Sequence, residues 1–112
     1  MIIQQTSNFE TGKILQTSGI NTATALPKFN FWIWNIIARD KEGDWGDLSE
    51  ADRKDNNTAL EIGERLLSSY NLPDGMKEEL RSEGLTQNSD TKVWIITDRD
   101  RNYTTISFPS EY

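Results

Sequence analysis

Two β-prone runs near one end of the sequence constrain the fold most. They are KVWIIT at 92–97 and YTTISF at 103–108. Both are rich in β-branched and aromatic residues, and the charged stretch 98–102 between them reads as a turn. An antiparallel hairpin is expected there. A hairpin alone is marginal in water, so the chain needs a helix to cover it. The segment 27–40 supplies one: Phe29, Trp32, Ile33, Ile36 and Ile37 fall at helical spacing, and Pro27 suits a first helical turn. Phe31 and Trp34 fall partly off that stripe. Residues two apart do not share a helix face, so either Trp32 or Trp34 is expected to face solvent or a partner.

The remaining elements follow from local signals. GKILQT at 12–17 reads as a strand, and residues 1–10 as a polar lead-in whose order the sequence does not fix. Residues 20–26 are small and Thr/Ala-rich and suggest no element. GDWGDL at 43–48 is a turn whose two glycines suggest positive φ. Ser49 is a plausible N-cap with Asp52 three residues on, opening a helix over about 50–64. Its core-facing positions are expected to include Ala51, Ala59, Leu60 and Ile62. Residues 65–70 read as a strand or as the end of that helix. NLPDG at 71–75 is a turn, MKEELRSE at 76–83 a short helix, and 84–90 a polar loop. The expectation is an α+β fold in one domain spanning 1–112, with two main helices on a small antiparallel sheet in the order β-α-α-β-(α)-β-β.

Composition removes several chemistries. The 112 residues include no Cys and no His. Disulfides, thiol catalysis, Cys-ligated zinc and an imidazole base are therefore excluded. No stretch reaches the roughly 18 apolar residues of a membrane span. Residues 1–9 lack the charged and apolar regions of a secretion signal, so a cytoplasmic protein is expected. There is no phosphate-binding glycine loop.

The net charge of −6 is concentrated. Between residues 40 and 64 stand nine acids (Asp40, Glu42, Asp44, Asp47, Glu50, Asp52, Asp55, Glu61, Glu64) and three bases (Lys41, Arg53, Lys54). An acidic face repels phosphate and attracts a basic protein surface, such as the nucleic-acid groove of another protein. A solvated helix face has the same composition. Asp44, Asp47, Glu50 and Asp52, or Asp98 and Asp100, could serve as catalytic carboxylates only within a cleft. Otherwise they form turns and caps. Asp40, Asp44, Asp47 and Glu50 could offer oxygens to a cation, but their spacing is not that of a calcium loop. No metal and no cofactor are expected. Trp45, between glycines and aspartates, is either a hot-spot anchor for a partner or a plug over the end of the core. Arg65 and Arg101 are expected to pair with the acidic segment.

An ordered set of residues carries a resemblance. It comprises GDWGDL at 43–48, Asp52, Asn56, Ala59-Leu60, RLLS at 65–68, Tyr70, TKVWIIT at 91–97, Asp100-Arg101, Thr104-Thr105 and PSEY at 109–112. The chain resembles a family of small uncharacterised proteins carried by plasmids, phages and integrative elements of bacteria. The resemblance implies a strand over 65–70, hence a three-stranded meander, and a mobile-element origin. It supplies no mechanism. The family often has His where this chain has Asp40, and residues 72–90 form a longer insert than usual.

These readings lead to an expected function: a non-enzymatic, protein-binding inhibitor of anti-CRISPR or anti-restriction type. Its partner would be a host defence nuclease, with no direct contact to nucleic acid or membrane. The expected partner-binding residues are Asp44, Trp45, Asp47, Glu50, Asp52, Asp55 and Trp34. The alternatives are a structural or regulatory maintenance protein, with a homodimer through the aromatic helix, and a carboxylate-dependent hydrolase.

Overall fold

The computed structural model describes residues 9–112. Most of the lead-in read at 1–10 therefore lies outside the described residues. The chain runs β1 (Lys13–Gln16), α1 (Ser18–Ala23), α2 (Pro27–Lys41), α3 (Glu50–Ile62), β2 (Leu66–Asn71), α4 (Met76–Ser82), β3 (Lys92–Thr97) and β4 (Tyr103–Ser107), and ends in a 3-10 turn at Pro109–Glu111. The fold is α+β. Among the described residues, no helix is long and apolar enough to cross a membrane.

The meander is present: β2 pairs antiparallel with β3, and β3 with β4. The sheet is mixed, however, and not wholly antiparallel. β1 joins β4 in parallel, with Lys13 opposite Tyr103 and Gln16 opposite Ile106, giving the order β1-β4-β3-β2. This pairing links the two ends of the chain, so no local signal announces it. The Thr104 hydroxyl fastens it by donating to the carbonyl of Thr11 (2.7 Å).

Opposed strand residues share a face. Ser68, Ile95 and Ile106 stand in one row, and Tyr70 pairs with Val93. Against this face α2 buries Phe29, Ile33, Ile36 and Ile37, the stripe that its spacing implied. Phe29 stacks on Phe108 with ring centroids 6.1 Å apart. Two further pieces complete the core. Ser18–Ala23, overlapping the Thr/Ala-rich stretch to which the sequence assigns no element, forms α1 and contributes Ile20 and Ala23. The 72–90 insert contributes Leu80, with Leu72, Met76 and Leu85 packed alongside, so it is part of the core and not an appended loop.

α3 begins as its cap residue implies: Ser49 Oγ accepts from the Asp52 N–H (3.2 Å). It ends at Gly63, whose φ of 75° gives a left-handed C-cap. Its packing departs from expectation. Ala51 and Ile62 are exposed, Ala59 and Leu60 only half-buried, and its buried residue is Asn56. An amide, not an apolar stripe, sets the orientation of this helix.

Candidate functional site

β2 is an edge strand, and an unpaired strand edge invites pairing with other chains. Here Leu67, Ser69 and Asn71, spaced two apart, direct backbone groups outward, and both groups of Leu67 and Ser69 and the N–H of Asn71 are met. The side-chain amide of Asn56 accepts from Leu67 N–H (3.0 Å) and donates to Leu67 C=O (2.8 Å). Ser69 N–H donates to Trp45 C=O (3.2 Å), and Ser69 C=O accepts from Asp47 N–H (2.6 Å). Asp47 Oδ2 accepts from Asn71 N–H (2.8 Å). The GDWGDL loop and one helix side chain thus stand in for a fifth strand.

The loop residues are fixed for this task. Gly46 has φ of 77°, and a Cβ there would collide with the Ser69 carbonyl and the Tyr70 ring. Asp44 accepts from Gly46 N–H (3.0 Å) and from Arg39 Nε (2.8 Å). The Arg39 bond, more than any other influence, holds the Asp44 carboxyl below its ordinary pKa. The Tyr70 hydroxyl donates to Asp44 C=O (2.6 Å), and burial raises its pKa. Arg53 donates to the carbonyls of Gly46 and Leu48, turning its cation toward the loop.

Trp45 is 3% exposed, and its indole N–H donates to Asn57 (2.8 Å). Its ring packs near Phe9, with centroids 5.9 Å apart. In this arrangement it covers the end of the core and offers no surface to a partner. Asp44, its neighbour in the expected contact set, is likewise occupied within the loop.

The other expected contact residues lie outside. Asp47, Glu50, Asp52 and Asp55 are exposed, the last three along α3. Glu50 lies 3.9 Å from Lys54, whereas Asp52, Asp55 and Glu61 form no ion pair among the described residues. Trp34 stands apart on α2, 63% exposed and one turn from Phe31, which is 72% exposed. Asp40 leaves the acidic surface altogether: it is buried and accepts a hydrogen bond from the Ser68 hydroxyl. Burial raises its pKa to about 6 despite that bond.

The expected arginine pairings are revised. Arg101 reaches the acidic segment through the Glu64 carbonyl (2.7 Å), and Arg99 pairs with the Glu64 carboxylate (3.3 Å). Arg65 instead stacks over the Tyr112 ring and bonds its hydroxyl. Asp100 accepts from Asn102 N–H (3.0 Å) within the hairpin turn. No group of three or more acidic side chains among the described residues is placed to hold a metal ion.

Sequence reasoning missed Asn56, because an isolated Asn in an acidic helix reads as solvent-facing. Its one signal was membership in the ordered set with GDWGDL and RLLS. No family model, curated protein or solved structure matches the chain.

Proposed function

We propose that this chain is a non-enzymatic inhibitor that binds a basic protein surface through α3 and the residues just before it. The observation that carries this reading is the exposure of Asp47, Asp52, Asp55 and Glu61, with no ion pair to any of them among the described residues, on one helix and the loop before it. Surface acids are usually offset by nearby bases. Here Arg53, next to Asp52, is turned to backbone carbonyls, and Lys54, next to Asp55, lies beside Glu50. Preorganised negative charge steers association with a positive groove and requires little reordering on binding.

The partner in this reading is a defence nuclease of the host cytoplasm, and the inhibitor occupies its nucleic-acid groove. The resemblance to proteins of mobile elements supports that choice of partner. The test is cleavage by a panel of CRISPR-associated and restriction nucleases with and without the chain. Inhibition that weakens on combining Asp52→Asn, Asp55→Asn and Glu61→Gln supports the reading. Inhibition of no nuclease, or inhibition indifferent to those changes, contradicts it. Asp44 and Asp47 are excluded from the set because their carboxylates hold the loop.

A second reading rests on Phe31 and Trp34. Two large exposed aromatics on one side of α2 suit a hot spot for a second copy of the chain. Monomeric sedimentation at millimolar concentration would remove it.

A further inference from the structure

The inward stripe of α3 breaks the usual rule for a helix beside a sheet. Asp52, Asp55, Asn56 and Ala59 are spaced i, i+3, i+4, i+7, so they share one face. That stripe ordinarily carries apolar residues. Here the Asn56–Leu67 bonds turn the stripe toward β2, and the two aspartates turn with it. The apolar Ile62 is left outside at 66% exposure. Local rules broken inside an otherwise consistent fold mark functional positions.

The result is a groove of about 320 Å³ between α3 and β2. Leu48, Ala59 and Leu67 are half-buried in it and give an apolar lining. Asp52 and Asp55 line it as exposed carboxylates with no ion pair among the described residues. Arg65 also lines the groove, but its guanidinium is turned to the ring and hydroxyl of Tyr112 and forms no ion pair with either aspartate, so the lining keeps an excess of negative charge.

We propose that this groove takes an arginine side chain presented by the partner protein. The charge and shape select that occupant. An arginine has an apolar stem of three methylenes for Leu48, Ala59 and Leu67, and a planar head of five donors for two carboxylates. The two aspartates stand exposed beside an apolar lining, so together they offer a paired carboxylate target that scattered surface acids do not. The groove turns a diffuse acidic face into a point of recognition. This inference rests on the reading of the chain as a binder of basic protein surfaces.

The test uses the whole chain and a blocked Ala-Arg-Ala peptide, followed by amide NMR shifts. Binding should move the Asn56 side-chain amide and the backbone amides of Ala59 and Leu67. A citrulline peptide, isosteric but neutral, should bind at least about tenfold more weakly. The Asp52→Asn, Asp55→Asn double variant should weaken arginine binding by a similar factor of about ten. Ala59→Leu should also remove binding, because it fills the groove and leaves every charge in place. Unchanged Asn56 side-chain signals in the free double variant certify that the fold is intact. Shifts spread along all of α3, or full binding by Ala59→Leu, would overturn the groove and leave a general acidic surface. Peptide binding in a chain that inhibits no nuclease would contradict the proposed function and keep the groove. Nuclease inhibition that weakens in the double variant but is untouched by Ala59→Leu would do the reverse.

Discussion

The side-chain amide of Asn56 pairs with both backbone groups of Leu67, at 3.0 and 2.8 Å, as a neighbouring strand would. Asn56 is 6% exposed. One residue therefore protects the sheet edge and fixes the rotation of α3, which decides where the aspartates point.

Replacing Asn56 by Ala removes two hydrogen bonds and leaves two strand groups unmet. Stability should fall by about 2–3 kcal/mol in urea unfolding. Asn56→Asp keeps the acceptor for Leu67 N–H but sets a carboxylate against Leu67 C=O, so it should recover only part of the loss. Equal behaviour of Asn56→Asp and wild type would contradict the paired geometry.

Gly46 and Gly63 have similar positive φ, 77° and 75°, but different surroundings. A Cβ at Gly63 meets open space, whereas one at Gly46 meets strand backbone. Gly63→Ala should destabilise by about 1 kcal/mol, from backbone strain alone. Gly46→Ala should destabilise by about 2–4 kcal/mol, because the loop must also leave β2. Matching losses at the two sites would show that the loop does not clasp the strand.

Asp40 makes stability depend on pH in a direction opposite to that of Asp44. Its folded pKa is raised from 3.8 to about 6, by burial above all, with the Ser68 bond and Lys41 pulling it back. A raised folded pKa means that the contribution is fully present below the unfolded value near 3.8. It is lost as pH rises through about 6. Asp40→Asn keeps an acceptor for Ser68 and removes the titration. The stability of Asp40→Asn relative to wild type should rise by about 1–3 kcal/mol between pH 4 and 7. A difference that is flat across that range would mean that Asp40 is not desolvated in the folded chain.

Trp34 and Phe31 project from α2 without entering the core. Trp34→Ala should change stability by less than about 0.5 kcal/mol, as at an ordinary surface site. Trp45→Ala should cost about 3–5 kcal/mol, because it empties a buried aromatic position. Comparable losses in the two variants would place Trp34 inside.

What was legible in the sequence was local. The hairpin, the α2 stripe, the Pro27 start and the Ser49 cap all depend on residues within a few positions, and the structure has each of them. The parallel β1–β4 pairing was not legible, because it joins residues some ninety positions apart. α1 was missed because its six residues carry only two buried side chains, too few for a period. The orientation of α3 was misread because its apolar residues suggested one face, whereas a bidentate amide contact with a strand formed later in the chain imposed another. The buried state of Asp40 was hidden for the same reason, since it depends on β2 and β2 on its distant partners, whereas the buried position of Trp45 is the plug that the sequence offered as one of two readings.

The most direct test of the functional account is size-exclusion chromatography with light scattering, on the chain mixed with a defence nuclease in the presence and absence of its nucleic acid. The account predicts a complex of defined stoichiometry that forms without nucleic acid and is prevented by it, with Asp52→Asn and Asp55→Asn shifting the balance toward the free chain. A complex that forms equally well on the nucleic-acid-loaded nuclease, or none with any nuclease, would contradict it.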